Sequence, residues 1–475
     1  MTRPAALRRS TVTVALAALA AAGAPVVPSL PGLHAVVAFD GRPVAVPGVR
    51  VLSDLPSLGM QVVRGDARSL QRLAQHPGVR GVAPDAALHV TSAEDSSSGS
   101  GVLASAGLGG TAGQPGAGAG TRVAVIDTGV SDTAALDRAS GRLVDVVDTS
   151  TGTTRTGGVY TDGYGHGTFM AGVVAGGPVP GTDGKALGVA PGATVLVARV
   201  AGADGSTSLS KVLAALGWVR AHHDQVDVAN LSLSSHRPFH AYGADPLTDA
   251  VEKVRDAGVT VVVSAGNRRN ELGDPGFDPR VLTVGAAELP RHRVASFSGS
   301  DEVAGVRKPD VVASGVHVLG LLPPDSTLAQ DPQTRQLHNG LYRGSGTSQG
   351  TAVTSGLAAL LLAAHPEATP TQVKASLRCA AEDLKGHRDG AGLVRATTTL
   401  CSGPDGEALD GSGDATGEAD FDASSWGASS WGASSWGASS WGASSWAASS
   451  WAASSWAASS WAGADWGDED GEESS

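Results

Sequence analysis

Three side chains in this sequence have the chemistry of a nucleophile, a base and an acid, and each sits in a short context that suits that role. Ser348 ends the run Gly344-Ser345-Gly346-Thr347-Ser348 and precedes an Ala- and Leu-rich stretch, residues 352–364, that predicts a helix. A serine at a helix N-terminus lies where backbone N–H groups point outward, ready to meet negative charge on a reacting oxygen. Taken alone, it is equally a helix cap. His166 follows Gly163 and Gly165 and opens an apolar stretch, residues 169–174. A histidine there can take a serine proton near neutral pH, or it can be purely structural. Asp127, in Val125-Ile126-Asp127-Thr128-Gly129, places a carboxylate at the C-terminal tip of a buried apolar strand, where open α/β sheets hold their sites. A lone Asp-Thr-Gly is also a turn. Together the three are the set that activates a hydroxyl for acyl transfer.

The elements that would position them are legible as periodicity. Short apolar runs at residues 123–126, 194–200, 226–233, 259–263 and 281–284 alternate with longer helical stretches, which predicts an α/β fold with a parallel sheet flanked by helices. One helix start is well marked: Thr369 caps, Pro370 takes the first helical position and Gln372 completes a capping box. Upstream, residues 33–90 read as a small α/β unit with strands at 34–39, 60–63 and 79–82 and a helix at 69–75. Residues 91–120 are Gly, Ala and Ser with little to form a core, so an exposed connector is expected.

The chain ends differ from the body. Arg3, Arg8 and Arg9 precede an apolar run over 11–22, the pattern of an export signal cut near Ala22. Export leads to an oxidising compartment, so Cys379 and Cys401 are expected either to pair or to remain as two buried thiols. The formal charge is −12, yet residues 396–475 hold 13 acidic residues and no Lys or Arg, leaving 33 acidic against 34 basic residues before them. The body therefore carries no basic footprint for nucleic acid. Nine of the ten tryptophans fall in the tail at a spacing of five, which matches neither helix nor strand and predicts disorder. Such an array can still touch a cell surface through its amphipathic rings.

The order Asp127, His166, Ser348, with Gly188-Val189-Ala190-Pro191-Gly192-Ala193, Asn230-Leu231-Ser232-Leu233 and Ser264-Ala265-Gly266-Asn267 between them, resembles the subtilisin-like serine peptidases over about 122–399. The resemblance implies a three-layer α/β fold with a mostly parallel central sheet, a small α+β prodomain before it and a disordered tail after it. The segments would be a signal peptide (1–22), a propeptide (23–90), a linker (91–120), the peptidase domain (121–401) and the acidic Trp-repeat tail (402–475). Asp127, His166 and Ser348 would be the triad and Asn267 the oxyanion donor. Gly205, Ser206 and Thr207 would form one wall of the substrate groove, and Ser232, Leu233 and Ser234 the other. Gly273 would floor the first specificity pocket, with Arg268 at its rim favouring an acidic residue before the scissile bond. No metal or cofactor is implied for catalysis, and structural calcium, which occurs in the family, has no contiguous ligand loop here. The implied product is a secreted monomeric endopeptidase that cuts polypeptides, with its own propeptide, removed near Val90, as a further partner.

Departures from the family pattern surround the nucleophile. Gln349-Gly350-Thr351-Ala352-Val353 stands where most members have Met-Ala-Ser or Met-Ala-Thr and then Pro-His; Phe169 replaces a second His, and Ser234 replaces a Gly. Two rival readings follow. Gly346-Thr347-Ser348-Gln349-Gly350 matches the nucleophile elbow of α/β-hydrolases, but that fold needs its acid and histidine after the serine, and the candidates there, Asp383, His387 and Asp389, lie close together in sequence, whereas Asp127 and His166 precede it. The other rival is a proteolytically silent protein that binds the cell surface through fold and tail.

Overall fold

The computed structural model describes residues 32–90, 93–94 and 112–401, apart from 181, 183, 236–244, 304–305, 335, 338–339 and 387. The expected signal peptide and tail lie outside the described residues. The first unit is a four-stranded antiparallel sheet of β1 (Leu33–Phe39), β2 (Val49–Leu55), β3 (Met60–Gly65) and β4 (Val79–Pro84), in the order β2-β3-β1-β4. Helix α1 (Ala67–Ala74) is capped by the Asp66 carboxylate, which accepts the Ser69 N–H. Strand alternation divides β1 between two cores: Ala35, Val37 and Phe39 face α1, whereas Val36 and Ala38 join the core of the larger body. The expected strands and helix are present, each within a few residues of its expected bounds. Strand β2 was not anticipated, because it is mostly exposed and carries no alternating apolar pattern.

Two short strands follow, β5 (Ala87–Val90) and β6 (Ala93–Glu94). The main sheet is built from β7 (Arg122–Asp127), β8 (Leu143–Asp148), β9 (Thr194–Arg199), β11 (Val228–Leu231), β13 (Thr260–Ser264), β14 (Leu282–Glu288) and β18 (Val311–Ser314), all parallel, with β15 (Arg293–Val294) added antiparallel. Between these lie β10 (Thr207–Ser208), β12 (Leu233–Ser234), β16 (Asp301–Val303) and β17 (Val306–Lys308); β19 (Val318–Gly320) and β20 (Tyr342–Ser345) follow. The spatial order runs β8-β9-β7-β11-β13-β14, so the chain extends in both directions from β7. Asp127 therefore ends the strand at which the winding reverses, the place where such sheets open a crevice.

Alternation along each strand makes three layers. Val123 and Val125 pack with α2 (His166–Ala175) and α6 (Thr347–Ala364), while Ala124 and Ile126 face α3 (Leu209–Ala221) and α4 (Pro246–Asp256). A short helix, α5 (Thr327–Gln330), and α7 (Pro370–Cys379) complete the set. Helix α7 begins with the capping box expected from Thr369 and Gln372. The connector is partly built in: Ala112 is buried, and Gly113 N–H and Ala117 C=O bond to Val189 and Gly192. The body thus starts before residue 121, because small residues let the chain lie flat against Ala190 and Ala193.

Gly350 is explained by packing: a Cβ there would lie 2.7 Å from the Gly285 carbonyl, so the absence of a side chain lets α6 sit on β14. Phe169, in place of a histidine, is buried against Gly320 and Gly344.

Cys379 and Cys401 are disulfide-bonded across 22 residues. Closing a loop of that length removes unfolded-state entropy worth about 3 kcal/mol, so the double Cys→Ser variant should lose roughly that much in a urea titration at unchanged slope.

Beneath α7, the buried Asp310 carboxylate takes both the Lys308 and Lys374 ammonium groups. Near them Asp278 is fully buried, with Oδ2 unpartnered. Burial, and then the charge of Glu252, push its carboxyl up to about 7 from 3.8. The folded state therefore holds a proton that the unfolded chain releases near pH 4, and stability falls as pH rises through 7. Asp278→Asn should remove this dependence, gaining on the parent protein between pH 5 and 9 when melting temperatures are compared.

Candidate active site

The Asp127 and His166 segments meet because both can approach closely. A Cβ on Gly167 would lie 2.1 Å from the Gly129 carbonyl, so only glycine lets the first turn of α2 rest on the Asp-Thr-Gly turn. His166 Nδ1 then lies 2.8 and 2.9 Å from the two Asp127 oxygens. The carboxylate can only accept, so Nδ1 carries the hydrogen and Nε2 is the basic nitrogen. Asp127 Oδ1 also accepts the Thr128 N–H at 2.8 Å.

A second carboxylate holds this pair in place. Asp162 is fully buried and accepts the N–H groups of Tyr164, Gly165 and Thr168 and the hydroxyls of Thr128 and Thr168. Thr128 Oγ1 in turn accepts the Gly167 N–H. Burial raises the Asp162 pKa, against the pull of these hydrogen bonds. Sequence reading did not single out Asp162; the available signal was an acid four residues before a histidine that opens a helix.

Ser348 lies in the first turn of α6, wholly buried. Its hydroxyl donates to the Ser232 carbonyl at 2.9 Å, while Ser232 Oγ donates back to the Ser348 carbonyl at 3.2 Å. Asn230 links Ser232 Oγ to Ser355 Oγ, so strand β11 and helix α6 are tied at two points. His166 Nε2 has no hydrogen-bond partner.

Asn267 ends the segment after β13, and its Oδ1 accepts both the N–H and the hydroxyl of Thr347, at 2.9 and 3.0 Å. Thr347 Oγ1 itself accepts the Gly266 N–H. Because a backbone N–H can only donate, Oδ1 is fixed and Nδ2 is the amide's remaining hydrogen-bonding group. Thr347 was not assigned a role from the sequence, although it lies inside the serine motif.

The remaining expected site residues divide. Thr207 and Ser208 pair with Leu88 and Ala87, and Leu233 and Ser234 pair with Val90 and His89, so β5 is the middle strand between two walls. Beyond it, Ala93 and Glu94 pair with Ser345 and Gly344. Of Gly205, Ser206 and Thr207, only Thr207 lies in β10; Gly205 N–H closes a turn onto the Gly202 carbonyl, and Ser206 N–H and Oγ donate to the Asp204 carboxylate. Gly273 lies against Ser234, whose Oγ is 2.5 Å from where a Cβ would be, so the serine that replaces glycine fills that space. Arg268 is exposed, with Nη1 4.0 Å from a Glu271 oxygen.

The sequence model of the subtilase family matches residues 118–396, more than half of the chain and all of this site. The chain belongs to the subtilase family. It is 32% identical to the serine protease AprX of Bacillus subtilis over 307 residues, covering 61% of this chain and 68% of that one. It is 34% identical to subtilisin Savinase of Lederbergia lenta over 281 residues, covering 59% and 90%. In fold it is similar to fervidolysin of Fervidobacterium pennivorans, with a TM-score of 0.60 at 24% identity, covering 78% of this subtilase and 61% of fervidolysin. The expected three-layer fold and serine endopeptidase class follow. Among the described residues of the subtilase no three His, Cys, Asp or Glu side chains cluster as metal ligands, and no helix is long and apolar enough to cross a membrane.

Proposed function

We propose that the chain is a secreted serine endopeptidase made as a zymogen that cuts itself between Val90 and Ala93. One observation carries this reading. The chain's own residues run extended as β5 between β10 and β12 and as β6 on β20, the strand that leads within three residues to Ser348. Main-chain pairing of an added strand is how a peptide is held with little regard to its sequence. The export pattern at residues 11–22 and the disulfide fit an extracellular enzyme.

The chemistry follows from the side chains alone. The Ser348 hydroxyl turns from the Ser232 carbonyl to His166 Nε2, which takes its proton as Oγ attacks the scissile carbonyl. Asn267 Nδ2 and the Ser348 N–H receive the oxyanion. His166 then passes the proton to the leaving amine, and water repeats the sequence to free the acyl-enzyme. Asp127 holds the imidazole and stabilises its charged form. Ser234, pressed on Gly273, favours small residues before the cut, in keeping with the Thr91-Ser92 that lies between the two strands; Arg268, shared with Glu271, adds little selection for acids. The fluorophosphonate label and N-terminal mass spectrum of the secreted protein test the proposal: an unlabelled serine, or a chain left uncut between Val90 and Ala93, would overturn it.

The prodomain is clamped by polar contacts. Asp85 accepts the Ser210 N–H and hydroxyl at 2.8 and 2.7 Å, placing a carboxylate on the N-terminus of α3, and Arg80 pairs with Asp249. Such a cap is worth about 1 kcal/mol, so Asp85→Ala should speed prodomain release roughly 5–10-fold and shorten the activation lag accordingly.

A further inference from the structure

Away from the substrate groove, a cavity of about 380 Å³ is lined by Arg269, His292, Arg293 and Arg388, with Leu384 and Gly386 completing its wall. Three guanidinium groups share this one concavity, and the carboxylates near it are already engaged. Glu288 takes Arg293 at 2.8 Å and Arg291 at 3.4 Å. Glu382 is bonded to Arg395, and the Asp389 carboxylate accepts the Leu384 and Gly386 N–H groups. Arg388 donates only to the carbonyls of Ser298 and Ala295, and Arg269 is exposed without an ion pair. Burial, and then the Arg269 charge, lower the Arg388 pKa, as expected of cations facing each other without a counter-ion.

The same chain carries the missing charge. Directly after Cys401 come Asp405, Glu407, Asp410, Asp414, Glu418, Asp420 and Asp422, with no basic residue among them. Residues 402–422 extend to about 70 Å, more than the roughly 50 Å width of a body this size, so the segment reaches the cavity wherever Cys401 lies. Tethering holds it at an effective concentration in the millimolar range, where even weak contacts between carboxylate and guanidinium are filled.

We propose that the Arg269–Arg293–Arg388 cavity is the docking site of the chain's own acidic segment, residues 405–422. Docking through exposed charges is screened by salt and leaves the segment shielded from proteases at low ionic strength.

The test uses the full chain and an added Glu-specific endoprotease, scoring cleavage after Glu407 and Glu418 in 20 mM and 500 mM NaCl. The parent protein should be cut at least 5-fold more slowly, relative to Arg269→Glu, at low salt, and the difference should vanish at high salt. Arg269 is exposed and has no ion pair among the described residues, so this substitution leaves the body intact. Arg269→Lys should retain most of the protection, and replacing Asp405, Asp410, Asp414 and Asp420 by Asn, which keeps both Glu sites, should abolish it. Equal cleavage of the parent and Arg269→Glu proteins at low salt overturns the proposal. So does binding of added inorganic phosphate by the parent that leaves cleavage unchanged, which would make the cavity a small-anion site.

Discussion

Ser348→Ala is expected to lower kcat for peptide hydrolysis by about 10⁶ while leaving the fold intact. The magnitude is carried over from subtilisin, where loss of the nucleophile costs about as much as loss of the whole triad, because the three residues act as one unit. In this chain the physical reason is visible. The serine hydroxyl is wholly buried at the start of α6, and His166 Nε2 has no hydrogen-bond partner among the described residues, which leaves that base open for the Ser348 proton. Substituting alanine removes the hydroxyl's hydrogen bond to the Ser232 carbonyl. Its stability should therefore change by about 1 kcal/mol, and a melting curve close to that of the parent would assign the lost activity to chemistry. The variant should also remain unprocessed, with β5 and β6 keeping their pairings. Parent and variant proteins that both fail to hydrolyse peptide would favour the silent binding protein instead.

Asn267→Ala should reduce kcat by about 10²–10³ with little change in KM, again a magnitude taken from the family. The donor meets charge that exists only on the oxyanion, so its loss raises the barrier more than it weakens ground-state binding. Thr347→Val offers a sharper check. It keeps the shape of the side chain but removes the hydroxyl from Asn267 Oδ1 and from the Gly266 N–H. With only the Thr347 N–H left to orient the amide, a loss of roughly 10-fold in kcat at constant KM is expected, and an unchanged kcat would mean that backbone alone orients Asn267.

The strongest local signals lay where one residue type is demanded by its immediate neighbours in the chain. The apolar run ending at Asp127, the capping box at Thr369 and the serine opening an Ala-rich helix depend on contacts a few residues apart, and each appears in the structure where expected. Strands β2 and β8 were missed because they carry half-exposed faces without clean alternation. Strand β10 begins only at Thr207, because the Asp204 carboxylate accepts the Ser206 N–H and hydroxyl and holds Ser206 outside the strand.

By itself, the sequence determined the identity and order of Asp127, His166 and Ser348, the layered α/β class and the charge asymmetry between body and tail, since composition, periodicity and short motifs are local properties. Only the tertiary structure decided what those residues face. Asp162 gathers five donors from two segments, Thr347 turns the Asn267 amide, Gly350 admits the β14 backbone, and β5 lies between two strands far along the chain. Apart from the Asp162 bonds within its own loop, each of these is a contact between segments distant in sequence, set by how the layers pack, and no pattern within a single segment encodes its partner.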